Sequence, residues 1–309
     1  MKLSLRSEDK QKISGFLGKK WVTWFISGFM ILFTAGMLAY LVYRQRDVLL
    51  SYSWDLNWSP LVIALGVHLA LLLLGAYVWA EILNALGPRI SFLRHFRVFC
   101  MNMMARRIPG TFWYVVYRAQ AYQQHGFSVK ATSLASGVEL AVSVISGGVT
   151  TFIIASFIGL RFSPWLLIAI LGVGILLLNP RTLKWLFKKL SMQQVEIPIS
   201  RLLRWIFMYI LLWVMGGTIV MLIINVFTPL AFSKLAHVIG YWALIGTMTQ
   251  LLAFLPSNFG LSEVSLSLLL STHVPSSIAV IIAIATRIIF LAFELFWSFI
   301  ALFLVKERS

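Results

Sequence analysis

Three arginines lie around a proline–glycine pair that interrupts an otherwise apolar segment. In Ala105-Arg-Arg-Ile-Pro-Gly-Thr-Phe-Trp113, Arg106 and Arg107 precede the break, and Arg118 lies two turns into the helix that we expect to begin near Thr111. A helix N-terminus favours an anion through its free N–H groups and its dipole, and guanidinium groups bind phosphate with paired hydrogen bonds. The segment predicts a phosphate-binding site whose residues are Arg106, Arg107, Trp113, Tyr117 and Arg118.

A second break lies in Phe254-Leu-Pro-Ser-Asn-Phe-Gly-Leu-Ser-Glu263. Ser257 or Asn258 can cap the helix that follows, and Glu263 falls in its first turn, where the helix dipole favours a carboxylate. Simple capping is one interpretation of this pattern. A carboxylate at membrane depth is costly without a partner or water, which favours a functional role for Glu263 and places Asn258 among the substrate-binding candidates.

Charged residues also lie deep in long apolar runs. Glu139 belongs to a polar stripe at helical spacing, Ser136, Glu139, Ser143, Ser146 and Thr150. Arg287 and Glu294 share one face of the last apolar run, and Arg287 is predicted to bind the anionic headgroup as a deep counter-charge from the second half of the chain. These glutamates and Glu263 are candidates for coupling or charge pairing. A buried ion pair such as Glu139 with Arg287 is the structural alternative, and the tip arginines could instead snorkel to the interface or pair with Glu81 or Glu139.

The amino-acid composition indicates the class of protein in which these charged residues lie. Of 309 residues, 60% are hydrophobic and 12% charged, whereas soluble domains are about 45–50% apolar and about 25% charged. Several apolar runs exceed the roughly 20 residues that a membrane-crossing helix needs. We therefore predict an all-α polytopic membrane protein. The one cysteine, Cys100, excludes an internal disulfide, and the histidines have no metal-ligand spacing, so neither a metal nor a cofactor is expected.

Breaks at proline, glycine and charge divide the apolar sequence into six membrane spans and two shorter pairs of arms. The predicted spans are residues 21–43, 60–83, 131–160, 164–178, 203–227 and 277–305. Residues 91–122 and 238–271 are interrupted, and each arm is too short for a comfortable crossing. Both are predicted to be re-entrant hairpins, which enter and leave the membrane on the same side.

The basic residues predict the orientation. Most of the 26 lysines and arginines fall on one side if the N-terminus is inside, as the positive-inside rule requires. Residues 1–20 form a basic cytoplasmic segment in this scheme, and both termini are cytoplasmic. The net charge of +16 fits contact with anionic lipid headgroups. The basic residues are spread over many short loops, so nucleic-acid binding is disfavoured.

A weak internal repeat is visible. His125-Gly-Phe-Ser128 aligns with His273-Val-Pro-Ser276, and Glu139 follows the first serine at the same distance as Arg287 follows the second. The two breaks also correspond. Three spans in each half require the halves, residues 21–160 and 161–309, to be inverted with respect to each other. Inverted repeats with broken helices recur in secondary transporters.

Two segments carry a family resemblance. Arg107-Ile-Pro-Gly-Thr-Phe-Trp113 with the later Glu139, and Leu255-Pro-Ser-Asn-Phe-Gly-Leu-Ser-Glu263 with the later Arg287, resemble signatures of the lysylphosphatidylglycerol synthase transmembrane, or flippase-like, family. The resemblance implies movement of a lipid between leaflets. Members often have an acidic residue shortly after the first glycine and an arginine before the second glutamate, whereas here Thr111-Phe-Trp113 and Leu261-Ser262 stand in those places.

The expected function is therefore that of a lipid flippase in the inner or plasma membrane. The cargo is an anionic lipid, either a phospholipid or a polyprenyl-phosphate-linked sugar. The chain ends at Ser309 without an aminoacyl-transferase region, so lysyl-lipid synthesis is not expected. Two alternatives stay open. A transferase acting on lipid-linked sugar needs an outer-face acid, for which Asp47 and Asp55 are available, and a noncatalytic scaffold would bind cell-envelope synthesis enzymes or a second copy.

Overall fold

The computed structural model describes residues 46–51, 55–106, 113–158, 197–252 and 261–304, with a few isolated positions. Two predicted spans, residues 21–43 and 164–178, lie almost wholly outside the described residues. The breaks at Pro109-Gly110 and Pro256–Gly260 also lie outside them, as does the basic segment 1–20.

Every regular element within these ranges is helical. A short helix α1, Arg46–Ser51, is followed by the long helix α2, Ser59–Asn84. The remaining elements, in chain order, are α3 (Phe92–Ala105), α4 (Trp113–Gln123), α5 (Val129–Phe157), α6 (Ile199–Phe227), a 3₁₀ turn (Phe232–Lys234), α7 (Leu235–Leu251), α8 (Leu261–Leu270) and α9 (Ser276–Leu304).

Four helices, α2, α5, α6 and α9, are long and apolar enough to cross a membrane. Each contains 26 to 29 residues, and the mean hydropathy of the most apolar window is between 1.9 and 2.4. At about 1.5 Å per residue these helices exceed the roughly 30 Å of a bilayer core. Their bounds agree within a few residues with predicted spans 60–83, 131–160, 203–227 and 277–305, so the prediction of long apolar helices is confirmed for these four.

The segments predicted to be hairpins contain shorter helices. α3 and α4 have 14 and 11 residues, and α7 and α8 have 17 and 10. None of them alone reaches the roughly 20 residues of a spanning helix. The helices within each pair contact one another, and each pair packs against long helices.

The buried side chains form two apolar clusters at opposite ends of the bundle. The first joins the end of α2 and the beginnings of α5 and α6 with α3 and with Ala301 near the end of α9. The second joins the beginning of α2 and the end of α6 with α7, α8 and the beginning of α9. Helices α5 and α9 therefore run in opposite directions, and the pairs α3–α4 and α7–α8 pack at opposite ends.

Local sequence explains where two long helices begin. The Ser128 hydroxyl accepts a hydrogen bond from the Ala131 N–H at 3.1 Å and caps α5. At the start of α2, the Asn57 side-chain oxygen accepts from the Ser59 N–H at 3.1 Å, and Pro60 occupies the first turn, where its missing N–H costs no helical hydrogen bond.

Glycines let α5, α6 and α7 approach closely. A Cβ atom added at Gly217 of α6 would lie 2.5 Å from the Ile239 Cα of α7, and one added at Gly147 of α5 would lie 2.1 Å from the Thr247 hydroxyl. Apolar side chains gain little from leaving a lipid environment, so helix association in membranes depends on close contacts of this kind. They bring α7 against both α5 and α6, and a Cβ at Gly147 would also lie 2.9 Å from the Trp213 ring of α6.

Candidate functional site

A buried ion pair joins α4 to α5. Both terminal nitrogens of the Arg118 guanidinium donate to the Glu139 carboxylate, Nη2 to Oε1 at 3.2 Å and Nη1 to Oε2. The Arg118 side chain is 0% exposed, and that of Glu139 is almost as deeply buried. A charge withdrawn this far from water needs a partner that replaces its hydration. The pair meets that requirement by holding one charge on each of two neighbouring helices.

Further contacts occupy the rest of the Arg118 guanidinium. In the amide orientation that satisfies both ends of Asn102, its oxygen accepts from Arg118 Nε at 2.9 Å and its nitrogen donates to the Tyr114 carbonyl at 2.8 Å. The Trp79 ring lies 3.7 Å from the Arg118 Cζ atom, a cation–π contact. Arg118 is thus held by carboxylate, amide and ring together.

Arg106 occupies the open side of the same carboxylate. Its Nη2 lies 3.4 Å from Glu139 Oε2, and its guanidinium stands over the Tyr114 ring at 5.0 Å. The Tyr209 hydroxyl of α6 donates to Glu139 Oε1 at 2.9 Å. Two guanidiniums therefore share one carboxylate, which leaves an excess positive charge. The Arg106 side chain is 39% exposed, so this excess charge is accessible from outside the cluster.

A second ion pair joins α8 to α9. Arg287 Nη1 donates to Glu263 Oε1, and the Ser262 hydroxyl donates to Glu263 Oε2 at 2.9 Å. Glu263 is buried, while the Arg287 side chain is 26% exposed. The arrangement resembles that of the first pair, since a short helix is tied to the long helix that follows it. The signs are exchanged: the arginine is on the short helix in the first pair and on the long helix in the second.

These contacts correct the pairing suggested by the sequence. Glu139 pairs with Arg118 and Arg106, and Arg287 pairs with Glu263, so the suggested link between Glu139 and Arg287 is wrong. The reason is proximity along the chain, because each short helix packs beside the next long one. Glu81 pairs with Arg204 instead of with the arginines of the first hairpin.

The polar stripe of α5 is packed against its neighbours. All five of its residues are buried. The Ser136, Ser146 and Thr150 hydroxyls donate to carbonyls of α5 itself, and the Trp213 indole of α6 donates to the Ser143 carbonyl at 3.0 Å. In this conformation α6 covers the stripe, because the glycines permit close approach.

A cavity of about 410 Å³ lies elsewhere, between the start of α2 and the end of α6. Its apolar wall includes Met221, Leu230 and Leu235, and its polar lining includes Asp55 and Asn225. The volume is within the range typical of small-molecule sites, about 300–1,000 Å³. Asp55, one of the two acids considered for a transferase, is therefore at a concave surface.

The other predicted site residues are placed only in part. Tyr117 packs partly buried on the first apolar cluster, and Glu294 is buried two turns after Arg287 on α9. Arg107 and Asn258 lie outside the described residues, and Trp113 is described only as the first residue of α4.

Sequence reasoning missed Trp79, Asn102 and Tyr209, which complete the first cluster. Asn102 carried a usable signal, because it is an uncharged polar residue one turn before Arg106. Trp79 and Tyr209 lie among many other aromatic residues and carried no comparable signal.

Comparison with known proteins does not extend this description. No protein-family model matches the chain, and no curated protein matches it significantly. The resemblance to the flippase-like family therefore stays a prediction. Among the described residues, no group of three or more histidine, cysteine, aspartate or glutamate side chains is arranged to hold a metal ion.

Proposed function

We propose that the protein is a flippase that moves a lipid with an anionic headgroup between membrane leaflets. The observation that carries this proposal is Arg106, a partly exposed guanidinium that shares the Glu139 carboxylate with the buried Arg118. An excess cation beside a break in a membrane-embedded hairpin is suited to a phosphate group. The lipid tails can stay in the bilayer while the headgroup alone needs a polar site.

The contacts of the two arginines suggest different roles. Arg118 is already saturated by Glu139, Asn102 and Trp79, so it fixes the carboxylate in place. Arg106 makes one long contact with Glu139 and can exchange it for a phosphate oxygen. Arg107 would contribute a second contact from the tip of the hairpin. Glu139 would then hold Arg106 when no lipid is bound.

The proposed architecture has six spans and two opposed re-entrant hairpins in two inverted halves, with both termini cytoplasmic. Support comes from the opposite directions of α5 and α9 and from the packing of the two short-helix pairs at opposite ends. The two ion pairs add to it, since each ties a hairpin arm to the following long helix. Broken helices in inverted repeats are where transporters bind their substrates.

The headgroup path in this proposal is closed in the described conformation. Trp213 and Tyr209 of α6 cover the polar stripe of α5, so movement of the headgroup requires α5 and α6 to separate. Alternation of the two halves would provide that separation. The sequence contains no nucleotide-binding motif, so we assign the driving force to an ion gradient or to the lipid's own concentration difference.

Reconstitution into liposomes tests the proposal. Vesicles containing a fluorescent anionic phospholipid or a lipid-linked sugar phosphate are assayed for lipid movement with a membrane-impermeant quencher. We expect the unmodified protein to move one of them and Arg106→Gln to move it at least about tenfold more slowly, as loss of a charged hydrogen bond implies. Arg204→Gln is the matched control, because it removes an exposed arginine from a surface pair with Glu81.

The result that contradicts the proposal is equal transport by Arg106→Gln and the unmodified protein. Vesicles that stay inactive across a broad lipid panel would favour a noncatalytic scaffold instead. If the protein is a scaffold, we expect it to bind envelope-synthesis enzymes.

One observation favours a transferase as the second candidate. Asp55 lines a cavity that the proposed topology places at the outer face, where an enzyme using lipid-linked sugar needs an acid. Formation of a glycosylated product that is lost in Asp55→Asn and retained in Asp47→Asn would establish the enzyme. Asp47 is the control because it is exposed and pairs with Arg46 outside the cavity.

A further inference from the structure

Two histidines far apart in the sequence meet at the entrance of the second hairpin. His237 lies in the first turn of α7, and His273 lies in the loop between α8 and α9. Their ring centroids are 4.9 Å apart with the ring planes at 89°. Tyr241 stacks on His273 at 5.9 Å, and its hydroxyl lies 3.4 Å from His273 Nε2 and 3.3 Å from the Thr272 hydroxyl.

His237 has a ring nitrogen that its surroundings leave unsatisfied. Its Nδ1 is shielded from solvent and has no hydrogen-bond partner within the described part of the chain. Buried polar atoms in folded proteins nearly always have a partner. This nitrogen, on a ring beside a second imidazole, is therefore a donor atom that a ligand can use.

The other end of the bundle provides an internal comparison. His95, in the first turn of α3, lies at the corresponding place in the first hairpin. Its Nδ1 is 2.9 Å from the Tyr122 hydroxyl, its Nε2 is 3.2 Å from the Asn84 side-chain oxygen, and the residue is fully buried. Both nitrogens are used there. Within the described part of the chain, the cluster in the second hairpin differs by combining two adjacent imidazoles with an unsatisfied nitrogen and partial exposure.

We propose that His237 and His273 bind a divalent transition-metal ion of the zinc class. Zinc bonds imidazole nitrogen at about 2.0–2.1 Å, and two rings whose centroids are 4.9 Å apart are close enough for one nitrogen of each to ligate the same ion. Structural and catalytic zinc sites use at least three protein ligands. With two imidazoles, water must fill the remaining positions, and the ion binds reversibly.

The electrostatic setting favours neutral imidazoles. The groups that face the site are His237, His273, Tyr241 and, on the preceding turn, Lys234. A metal ion binds only unprotonated imidazole, and an imidazole with the ordinary pKa of about 6.5 is mostly unprotonated at neutral pH. Lys234 opposes a cation, which sets a limit on the affinity.

An ion at this position would tie the beginning of α7 to the loop that precedes α9. Both segments frame the entrance to the second hairpin, so binding would hold its two arms together. This inference does not depend on lipid transport, because it concerns the geometry of the two rings alone. In the proposed topology the site faces the outside of the cell.

Zinc titration of the full chain tests the inference. The protein is purified in detergent with an affinity tag that contains no histidine, and binding is followed by calorimetry. We expect one saturable equivalent. His237→Phe, which keeps an aromatic ring, and His273→Gln, which keeps a polar group beside Tyr241, should each bind zinc at least about tenfold more weakly, as expected for a lost ligand. His125→Gln, at the other end of the bundle, should bind as the unmodified protein does.

Two further measurements make the test independent of any one variant. Binding to the unmodified protein should weaken as the pH falls below 6.5, and magnesium should not compete, because it prefers oxygen ligands. Equal zinc affinity in the His237→Phe/His273→Gln double variant would overturn the inference. So would the absence of a saturable equivalent in the unmodified protein.

Discussion

Arg118 on α4 donates to both carboxylate oxygens of Glu139 on α5 while its own side chain is wholly buried. The pair of short helices α7–α8 repeats this connection with the charges exchanged, because Glu263 is on the short helix and Arg287 is on the long one. In both cases an ion pair ties a short helix to the long helix that follows it. This relationship determines which residues can bind a ligand and which must stay in place.

The first prediction concerns the stability that Arg118 provides. Arg118→Ala leaves Glu139 buried with the Tyr209 hydroxyl and the longer contact from Arg106, and we expect a loss of about 3–5 kcal/mol in the free energy of unfolding. Chemical unfolding in detergent measures it. Arg204→Ala, which removes an arginine from the exposed pair with Glu81, should cost about 1 kcal/mol or less. Equal losses for the two variants would contradict the assigned role of Arg118.

Double-mutant cycles provide the second prediction, because they distinguish the observed pairing from the one that the sequence suggested. Glu263→Gln and Arg287→Gln should be strongly non-additive, since the two side chains form one ion pair and either change alone removes it. Glu139→Gln combined with Arg287→Gln should be additive within roughly 0.5 kcal/mol. The free energies of unfolding of the three single variants, the two double variants and the unmodified chain decide the question. Coupling in the second cycle but not the first would restore the pairing across the halves.

The long helices were predictable, whereas the partners of the charges were not. Apolar length and breaks located α2, α5, α6 and α9 within a few residues, because a long run of apolar side chains has few other stable arrangements in a bilayer. The sequence also indicated that Glu139 and Arg287 lie deep within long apolar helices. Their partners depend on which helices pack side by side. Small residues such as Gly217 determine that packing, and the sequence alone does not show which helix each of them contacts.

The third prediction tests that packing. Gly217→Ala places a methyl group 2.5 Å from the Ile239 Cα atom, which is backbone and cannot rotate away. Helices α6 and α7 must then move apart, and we expect the unfolding temperature to fall by several degrees, corresponding to about 1–3 kcal/mol. Gly66→Ala is the matched control, because a Cβ there meets nothing within 4 Å, and it should be neutral or slightly stabilising. A harmless Gly217→Ala would argue against close contact between α6 and α7.

The fourth prediction concerns the inverted orientation of the two hairpins. Gln124 and Pro275 are exposed and stand just before α5 and α9, which run in opposite directions. In a chain with Cys100→Ser, we expect a membrane-impermeant maleimide added to intact cells to label Pro275→Cys and not Gln124→Cys. Permeabilised cells should label both. Labelling of both sites in intact cells would exclude the inverted arrangement.

The fifth prediction separates charge from geometry at Arg106. A lysine keeps the positive charge but presents it as a single ammonium, whereas a guanidinium can bind two phosphate oxygens at once. If Arg106 contacts a phosphate headgroup, Arg106→Lys should bind anionic lipid several-fold more weakly than the unmodified protein, and Arg106→Gln should bind it more weakly still. Because the side chain is 39% exposed, neither change should lower the unfolding temperature as Arg118→Ala does.

Binding of phosphorylated and uncharged lipids in nanodiscs, measured at two salt concentrations, supplies the test for Arg106. Salt should weaken the unmodified protein's preference for the anionic lipid and have little effect on Arg106→Gln, since screening acts only on an interaction between charges. If the preference and its salt dependence persist in Arg106→Gln, the anion is bound elsewhere. The excess charge beside Glu139 would then serve only to hold α3, α4 and α5 together.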